Sequence, residues 1–188
     1  MRISDIHIRP SYAAIMVSIP VLIYAHYRAA TLAFTYDECW TFLGYASADV
    51  WSIVTNQSPA ANNHVLHSML MKLFVGLFGS SEYVLRIPAL GGMLLFMVYL
   101  FKLSWGMLKK LWWVGYVSVL YQPYLLDYFA IARGYALAIA FTFGSIYYLD
   151  RLVRRQRLLD AWLALGLAFL AAYANFTYLL IFCSVICD

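Results

Sequence analysis

Long apolar blocks separated by short polar connections are the feature that most constrains how this chain folds. The sequence is 64% apolar and only 12% charged. A soluble domain is nearer about half apolar and about a quarter charged. In lipid a backbone must satisfy its own hydrogen bonds, which favours helices over irregular chain. The sequence therefore predicts an all-α polytopic transmembrane bundle, built from blocks at 11–33, 64–79, 83–106, 111–129, 134–149, 159–173 and 174–187.

The second block is too short to be an ordinary span. A helix over 64–79 would be about 24 Å long, whereas the hydrocarbon core is about 30 Å thick. Its polar or small residues recur every four positions, at His64, Ser68, Lys72 and Gly76. One such stripe on an apolar helix is typical of a helix that lies in the membrane interface with its apolar side toward the lipid.

The basic residues favour one topology. With a cytoplasmic N-terminus and six spans, nine of the 13 lysines and arginines fall inside, in agreement with the positive-inside rule. We therefore expect a single transmembrane domain over 1–188 in the cell membrane, with an external loop at 34–82 that carries two interfacial helices. The net charge of +4 sets orientation and does not indicate nucleic-acid binding. The six expected spans are 11–33, 83–106, 111–129, 134–149, 159–173 and 174–187.

This topology collects polar residues on the external face. Asp37 and Glu38 follow the first span in "FTYDECW". They can be the acidic first turn of a helix, which the helix dipole favours, or a general base whose pKa partial desolvation raises. Asn63 and His64 either begin the interfacial helix or line a polar pocket. His64 and His67, without a third ligand, do not indicate a metal site.

Three further residues near the same face carry charge. Arg86 can pair with Glu82 at four-residue spacing or bind a phosphate at the membrane surface. Asp127 and Arg133, in "LLDYFAIARGY", are costly beside the membrane unless they are paired or used. A mutual Asp127–Arg133 pair is one explanation. Tyr135 fits an interfacial aromatic belt and can also stack on a sugar.

The order of these motifs resembles a known family. The acidic pair after the first span, "NNH" entering "LMKLFVGLFG", "SEYVLRIPAL" and "LLDYFAIARGY" together resemble the N-terminal part of membrane-embedded C-type glycosyltransferases. The nearest branch is that of protein mannosyltransferases and lipid A sugar transferases. The resemblance covers residues 30 to 180. It departs from the family at Val65 and Leu66, where two prolines often follow the histidine.

The resemblance implies an inverting transfer of a sugar from a polyprenyl-phosphate donor to an acceptor hydroxyl at the external face. Asp37 is then the candidate base, and Glu38 helps to hold the acceptor. Arg86 contacts the lipid phosphate or organises the acidic loop, and Arg133 is a second phosphate contact. No cofactor is expected to be required, although related branches use a divalent metal. The expected partners are the lipid-linked donor, the bilayer and an unknown acceptor.

The length of the chain qualifies this expectation. Family members usually have more spans, so we expect this chain to be the N-terminal part of a longer enzyme and to be inactive alone. The alternative is a non-catalytic accessory subunit or a truncated remnant. A transporter for lipid-linked sugars would need polar groups near the middle of the bilayer, and the predicted spans contain almost none there.

Overall fold

A computed structural model describes residues 9–46, 48–55 and 63–187. Within these ranges the chain is helical and contains no strand, which confirms the predicted all-α class. The helices are α1 (Pro10–Thr31), α2 (Tyr36–Thr41), α3 (Val50–Thr55), α4 (Val65–Phe78), α5 (Glu82–Leu108), α6 (Trp112–Leu120), α7 (Pro123–Phe129), α8 (Tyr135–Arg155), α9 (Leu158–Ala174) and α10 (Leu179–Cys187). A π-helical turn, Phe42–Ala46, extends α2.

Three helical segments are long and apolar enough to cross a membrane: Pro10–Thr31, the run Glu82–Leu120, which comprises α5, a 3-10 turn at Lys109–Leu111 and α6, and Tyr135–Arg155. These segments begin close to the predicted spans at 11–33, 83–106 and 134–149. Large apolar side chains cover the outer surface of α1, as expected where a helix faces lipid. They include Tyr12, Ile15, Met16, Ile19 and Ile23.

The predicted span at 111–129 is not one helix. The chain turns at Tyr121 and Gln122, so the block divides into the short helices α6 and α7. Pro123 is the first residue of α7. Proline lacks an N–H and disfavours helical geometry in the preceding residue, so a continuous helix through this point is unfavourable. The blocks at 159–173 and 174–187 form α9 and α10, and their crossing of the membrane stays a prediction.

Small residues bring the central helices together. A Cβ on Gly92 of α5 would lie 2.9 Å from the backbone of Ala136 in α8, so glycine permits this close approach. Phe96 fills the adjacent space, with its ring centroid 5.3 Å from that of Phe129 and 4.9 Å from that of Phe143. The core therefore lies between α1, α5, α6, α7 and α8.

Helix α4 packs part of its polar stripe against the rest of the protein, and its position in the membrane interface stays a prediction. His64 and Ser68 of the polar stripe are buried, whereas Leu77 and Phe78 are exposed. Lys72 donates a hydrogen bond to the carbonyl oxygen of Ala48, at 2.6 Å. The first two turns of the stripe therefore face the rest of the protein, and Lys72 finds its partner there, whereas Gly76 is exposed.

Candidate functional site

The acidic pair lies in the first turn of α2, which begins with a capping box. The Thr35 hydroxyl accepts a hydrogen bond from the Glu38 amide, and the Glu38 carboxylate accepts one from the Thr35 amide. The letters "TYDE" carry this signal, since threonine followed three residues later by glutamate is a helix-start pattern. The acidic first turn anticipated from the sequence is thus present, with Thr35 as its cap.

Glu38 forms a buried ion pair with Arg86. The guanidinium Nε lies 2.9 Å from one carboxylate oxygen and Nη2 lies 3.0 Å from the other, and both side chains are fully buried. The amide of Ala132 also donates to Glu38, at 2.6 Å. Burial alone would raise the pKa of Glu38, but the hydrogen bonds from Arg86, Ala132 and Thr35 outweigh it and hold that pKa below its usual value.

All the N–H groups of the Arg86 guanidinium donate hydrogen bonds to acceptors within the protein. Its remaining N–H groups donate to the carbonyl oxygens of Ala29, Leu32 and Ala33, at 2.9, 2.8 and 3.4 Å. These carbonyls end α1, where the helix leaves its last acceptors without intrahelical partners. Arg86 thus pairs with Glu38 rather than with Glu82. Of the two roles implied by the resemblance, organising the acidic loop matches this geometry, since phosphate binding would require existing bonds to break.

Asp37 occupies a different environment from its neighbour. Its carboxylate forms an ion pair with the Arg133 guanidinium, and its side chain is 47% exposed, whereas that of Arg133 is 8% exposed. The two adjacent carboxylates therefore differ in their surroundings. Glu38 is buried and accepts hydrogen bonds on both oxygens, whereas Asp37 is partly exposed to solvent.

Arg133 also contacts His64. Its Nη2 and Nε lie 3.1 and 3.3 Å from the histidine Nε2, which accepts as a neutral imidazole. Burial, together with the nearby charge of Arg133, lowers the pKa of His64 from 6.5 to about 4. The backbone of Ala174 hydrogen-bonds to the same ring. The neutral His64 ring therefore accepts hydrogen bonds from the Arg133 guanidinium and adds no charge of its own beside it.

Two tyrosines complete this cluster. The Tyr135 ring centroid lies 5.4 Å from Arg133 Cζ and 5.3 Å from the His64 ring centroid. Tyr128 packs against Tyr135, with the rings tilted by 31° and their centroids 4.6 Å apart. The Asn63 side chain donates to the carbonyl oxygen of Ile53, at 3.2 Å, and so ties the start of α4 to α3.

Gly134 makes the cluster possible. A Cβ at this position would overlap the Ala174 carbonyl oxygen and lie 2.9 Å from His64 Cβ. Its φ of −68° is ordinary, so the requirement for glycine is one of space and not of backbone conformation. The turn before α8, the end of α9 and the start of α4 meet at this residue.

The predicted site residues divide into two groups. Asp37, His64, Arg133 and Tyr135 come together, whereas Asp127 pairs with Arg28 of α1, at 3.1 Å. The suggested Asp127–Arg133 pair is therefore replaced by two others. Arg28 and Arg133 each pair with a carboxylate that is distant in sequence. The spacing of residues along the chain does not predict such pairs.

Sequence reasoning gave too little weight to His67. It is fully buried one turn after His64, and burial lowers its pKa to about 3. Neither ring nitrogen makes a hydrogen bond of standard geometry, although the Ala132 backbone is near enough to affect its pKa. Within the described ranges, no three His, Cys, Asp or Glu residues converge as metal ligands. The expectation that no metal is required stays a prediction.

No family model, curated protein sequence or solved structure matches this chain.

Proposed function

We propose that this chain is part of a membrane glycosyltransferase that moves a sugar from a polyprenyl-phosphate donor to an acceptor hydroxyl, with Asp37 as the base. The observation that carries the proposal is the division between the two adjacent carboxylates. Glu38 accepts hydrogen bonds on both oxygens and is enclosed. Asp37 is half-exposed beside a buried cation, Arg133. An accessible carboxylate beside a guanidinium that can also bind a phosphate suits proton transfer to a phosphate leaving group.

The reaction is a single displacement. The acceptor oxygen attacks the anomeric carbon while its proton passes to the Asp37 carboxylate. The bond between the anomeric carbon and the phosphate oxygen breaks, and polyprenyl phosphate leaves with that electron pair. Arg133 is placed to stabilise the leaving phosphate, and its move from Asp37 to the phosphate frees the base. One displacement inverts the anomeric centre.

Glu38 and Arg86 act as positioning residues in this proposal. Arg86 fixes the end of α1, and Glu38 bonds the Ala132 amide, next to Arg133 in sequence. The pair therefore sets the distance between the turn that carries Arg133 and the helix that carries Asp37. This connection supports a shared role for the two acidic residues without requiring Glu38 to touch substrate.

The test uses the complete gene product in detergent micelles. Radiolabelled polyprenyl-phosphate mannose, glucose and galactose serve as donors, with membranes of the expression host as the acceptor source, and transferred label is measured. Asp37→Asn is expected to reduce transfer by about 100-fold or more, because it removes the base. Asp150→Asn is the matched control, since Asp150 is another partly exposed carboxylate paired with an arginine, Arg154.

Two results would overturn the proposal. Equal transfer by the Asp37→Asn protein and the wild type would remove Asp37 from the chemistry. No transfer from any of the three donors by folded wild-type protein would favour the non-catalytic accessory protein.

A further inference from the structure

A groove on the membrane-facing surface lies away from the polar cluster. It is an open cavity of about 400 Å³ between α1, α5 and α6. Its wall is almost entirely apolar. The residues that line it include Ala14, Ser18 and Leu22 of α1 and Leu94, Phe101 and Lys102 of α5.

The groove owes its depth to small residues. Ala14 and Ser18, one turn apart on α1, replace the large side chains that cover the adjacent outer face. The Ser18 hydroxyl donates to the Ala14 carbonyl oxygen, at 2.8 Å, and lies 2.7 Å from the Tyr116 hydroxyl. These polar atoms satisfy one another, so the floor offers a ligand only apolar contact.

The dimensions match one half of a bilayer. From Ser11 to Leu22 the helix rises about 16 Å, close to half of the roughly 30 Å hydrocarbon thickness. A straight hydrocarbon chain fits such a groove better than a compact ligand does.

Lys102 marks one end of the groove. It is exposed, and within the described ranges its ammonium group has no carboxylate partner; it lies 5.6 and 5.3 Å from the ring centroids of Tyr99 and Tyr147. The neighbouring cation, Arg151, differs because it pairs with Asp160, at 3.1 Å. The positive charge of Lys102 is thus left to attract an anion.

The position of Lys102 along α5 identifies that anion. Lys102 lies about 24 Å beyond Arg86 along α5, and its long side chain can extend over the remaining few ångströms of the roughly 30 Å hydrocarbon core to the opposite membrane surface. A lysine at this depth meets the phosphate layer of the leaflet opposite the polar cluster.

We propose that the groove is a binding site for one anionic phospholipid of that leaflet. One acyl chain lies along α1 and α5 over Ala14 and Ser18, and the headgroup phosphate binds the Lys102 ammonium between the Tyr99 and Tyr147 rings. The site is separate from the proposed transferase chemistry and holds whether or not that proposal does.

The test is native mass spectrometry of the delipidated complete protein, titrated with dioleoylphosphatidylglycerol or dioleoylphosphatidylcholine. The wild type is expected to bind one phosphatidylglycerol about tenfold more tightly than phosphatidylcholine. Lys102→Gln should abolish this preference, whereas Lys110→Gln, which removes an exposed charge outside the groove, should retain it.

A second variant tests the groove itself. Ala14→Phe fills the space beside Ser18 and should lower the affinity for both lipids by at least about tenfold. Ala30→Phe adds the same bulk to an exposed position of α1 outside the groove and should not. Circular dichroism confirms that each variant is folded.

Three results would overturn the inference. One is equal affinity of the wild type for the two lipids. Another is an effect of Lys110→Gln as large as that of Lys102→Gln. The third is tighter binding of undecaprenyl phosphate than of phosphatidylglycerol, blocked by Ala14→Phe, which would assign the groove to a polyprenyl carrier.

Discussion

Arg86 and Glu38, separated by 48 positions in sequence, form a two-bonded ion pair with no solvent exposure on either side chain. The pair joins the end of α1, the first turn of α2, the start of α5 and the turn before α8. Replacing one partner of a buried pair leaves an uncompensated charge, which is far more costly than losing an exposed pair.

Glu38→Gln is expected to lower the free energy of unfolding by about 3–5 kcal/mol. The amide nitrogen that replaces one carboxylate oxygen would face N–H donors from Arg86 and from either Thr35 or Ala132. The measurement is thermal unfolding in detergent, followed by size-exclusion fluorescence. Glu82→Gln, at an exposed position in the first turn of α5, should change stability by less than about 1 kcal/mol. Equal effects of the two substitutions would contradict a structural role for the buried pair.

Gly134→Ala is expected to destabilise the protein by about 3 kcal/mol and to displace Arg133. The added methyl group would overlap the Ala174 carbonyl oxygen, and overpacking of this kind is typically costly. Gly91→Ala is the control, because nothing lies within 4 Å of a Cβ there. Alanine at that helical position should be neutral or slightly stabilising. Thermal unfolding distinguishes them, and a Gly134→Ala protein as stable as Gly91→Ala would show that the turn relaxes easily.

The sequence was sufficient to predict the helical class and the starts of the three longest segments. Long apolar blocks leave few alternatives in lipid, so 11–33, 83–106 and 134–149 each lie largely within one helix. The division of 111–129 was predictable in principle from Gln122 and Pro123. It was missed because apolar content was given more weight than the proline.

The ion-pair partners were not predictable from spacing. Arg86 has Glu82 one turn away, yet it pairs with Glu38; Arg133 has Asp127 nearby, yet it pairs with Asp37. Local pairs at the surface contribute little free energy, so they do not decide the partners, and the packed helices bring Glu38 to Arg86 and Asp37 to Arg133. The residue types were therefore identifiable, and their partners depend on the tertiary fold.

Stability should fall with acid in a range set by His64. Its pKa is lowered from 6.5 to about 4 in the folded protein, so between these values the unfolded chain binds a proton that the folded protein does not. The associated stability is complete above about pH 6.5 and is lost as pH falls toward about 4, at up to about 1.4 kcal/mol per pH unit. His67, with its pKa lowered to about 3, acts in the same direction.

His64→Gln isolates this contribution. The glutamine carbonyl can accept from Arg133 but does not titrate, so the loss of stability between pH 6.5 and pH 4.5 should become smaller. Melting temperatures at several pH values provide the measurement. His26→Gln, which replaces an exposed histidine bonded to the Tyr83 hydroxyl, should keep the wild-type slope. A His64→Gln protein with an unchanged slope would show that other groups control the acid response.

Arg133→Lys tests whether the guanidinium acts through its shape as well as its charge. Arg133 binds Asp37 with one arm and His64 with the others, a geometry that a single ammonium group cannot reproduce. If Asp37 is the base, its displacement should reduce sugar transfer by the complete protein by about 100-fold, with thermal stability changed little. Arg154→Lys, at an exposed pair with Asp150, should leave transfer unchanged. Full transfer by the Arg133→Lys protein would mean that positive charge alone suffices, and the two-armed contact would then be structural.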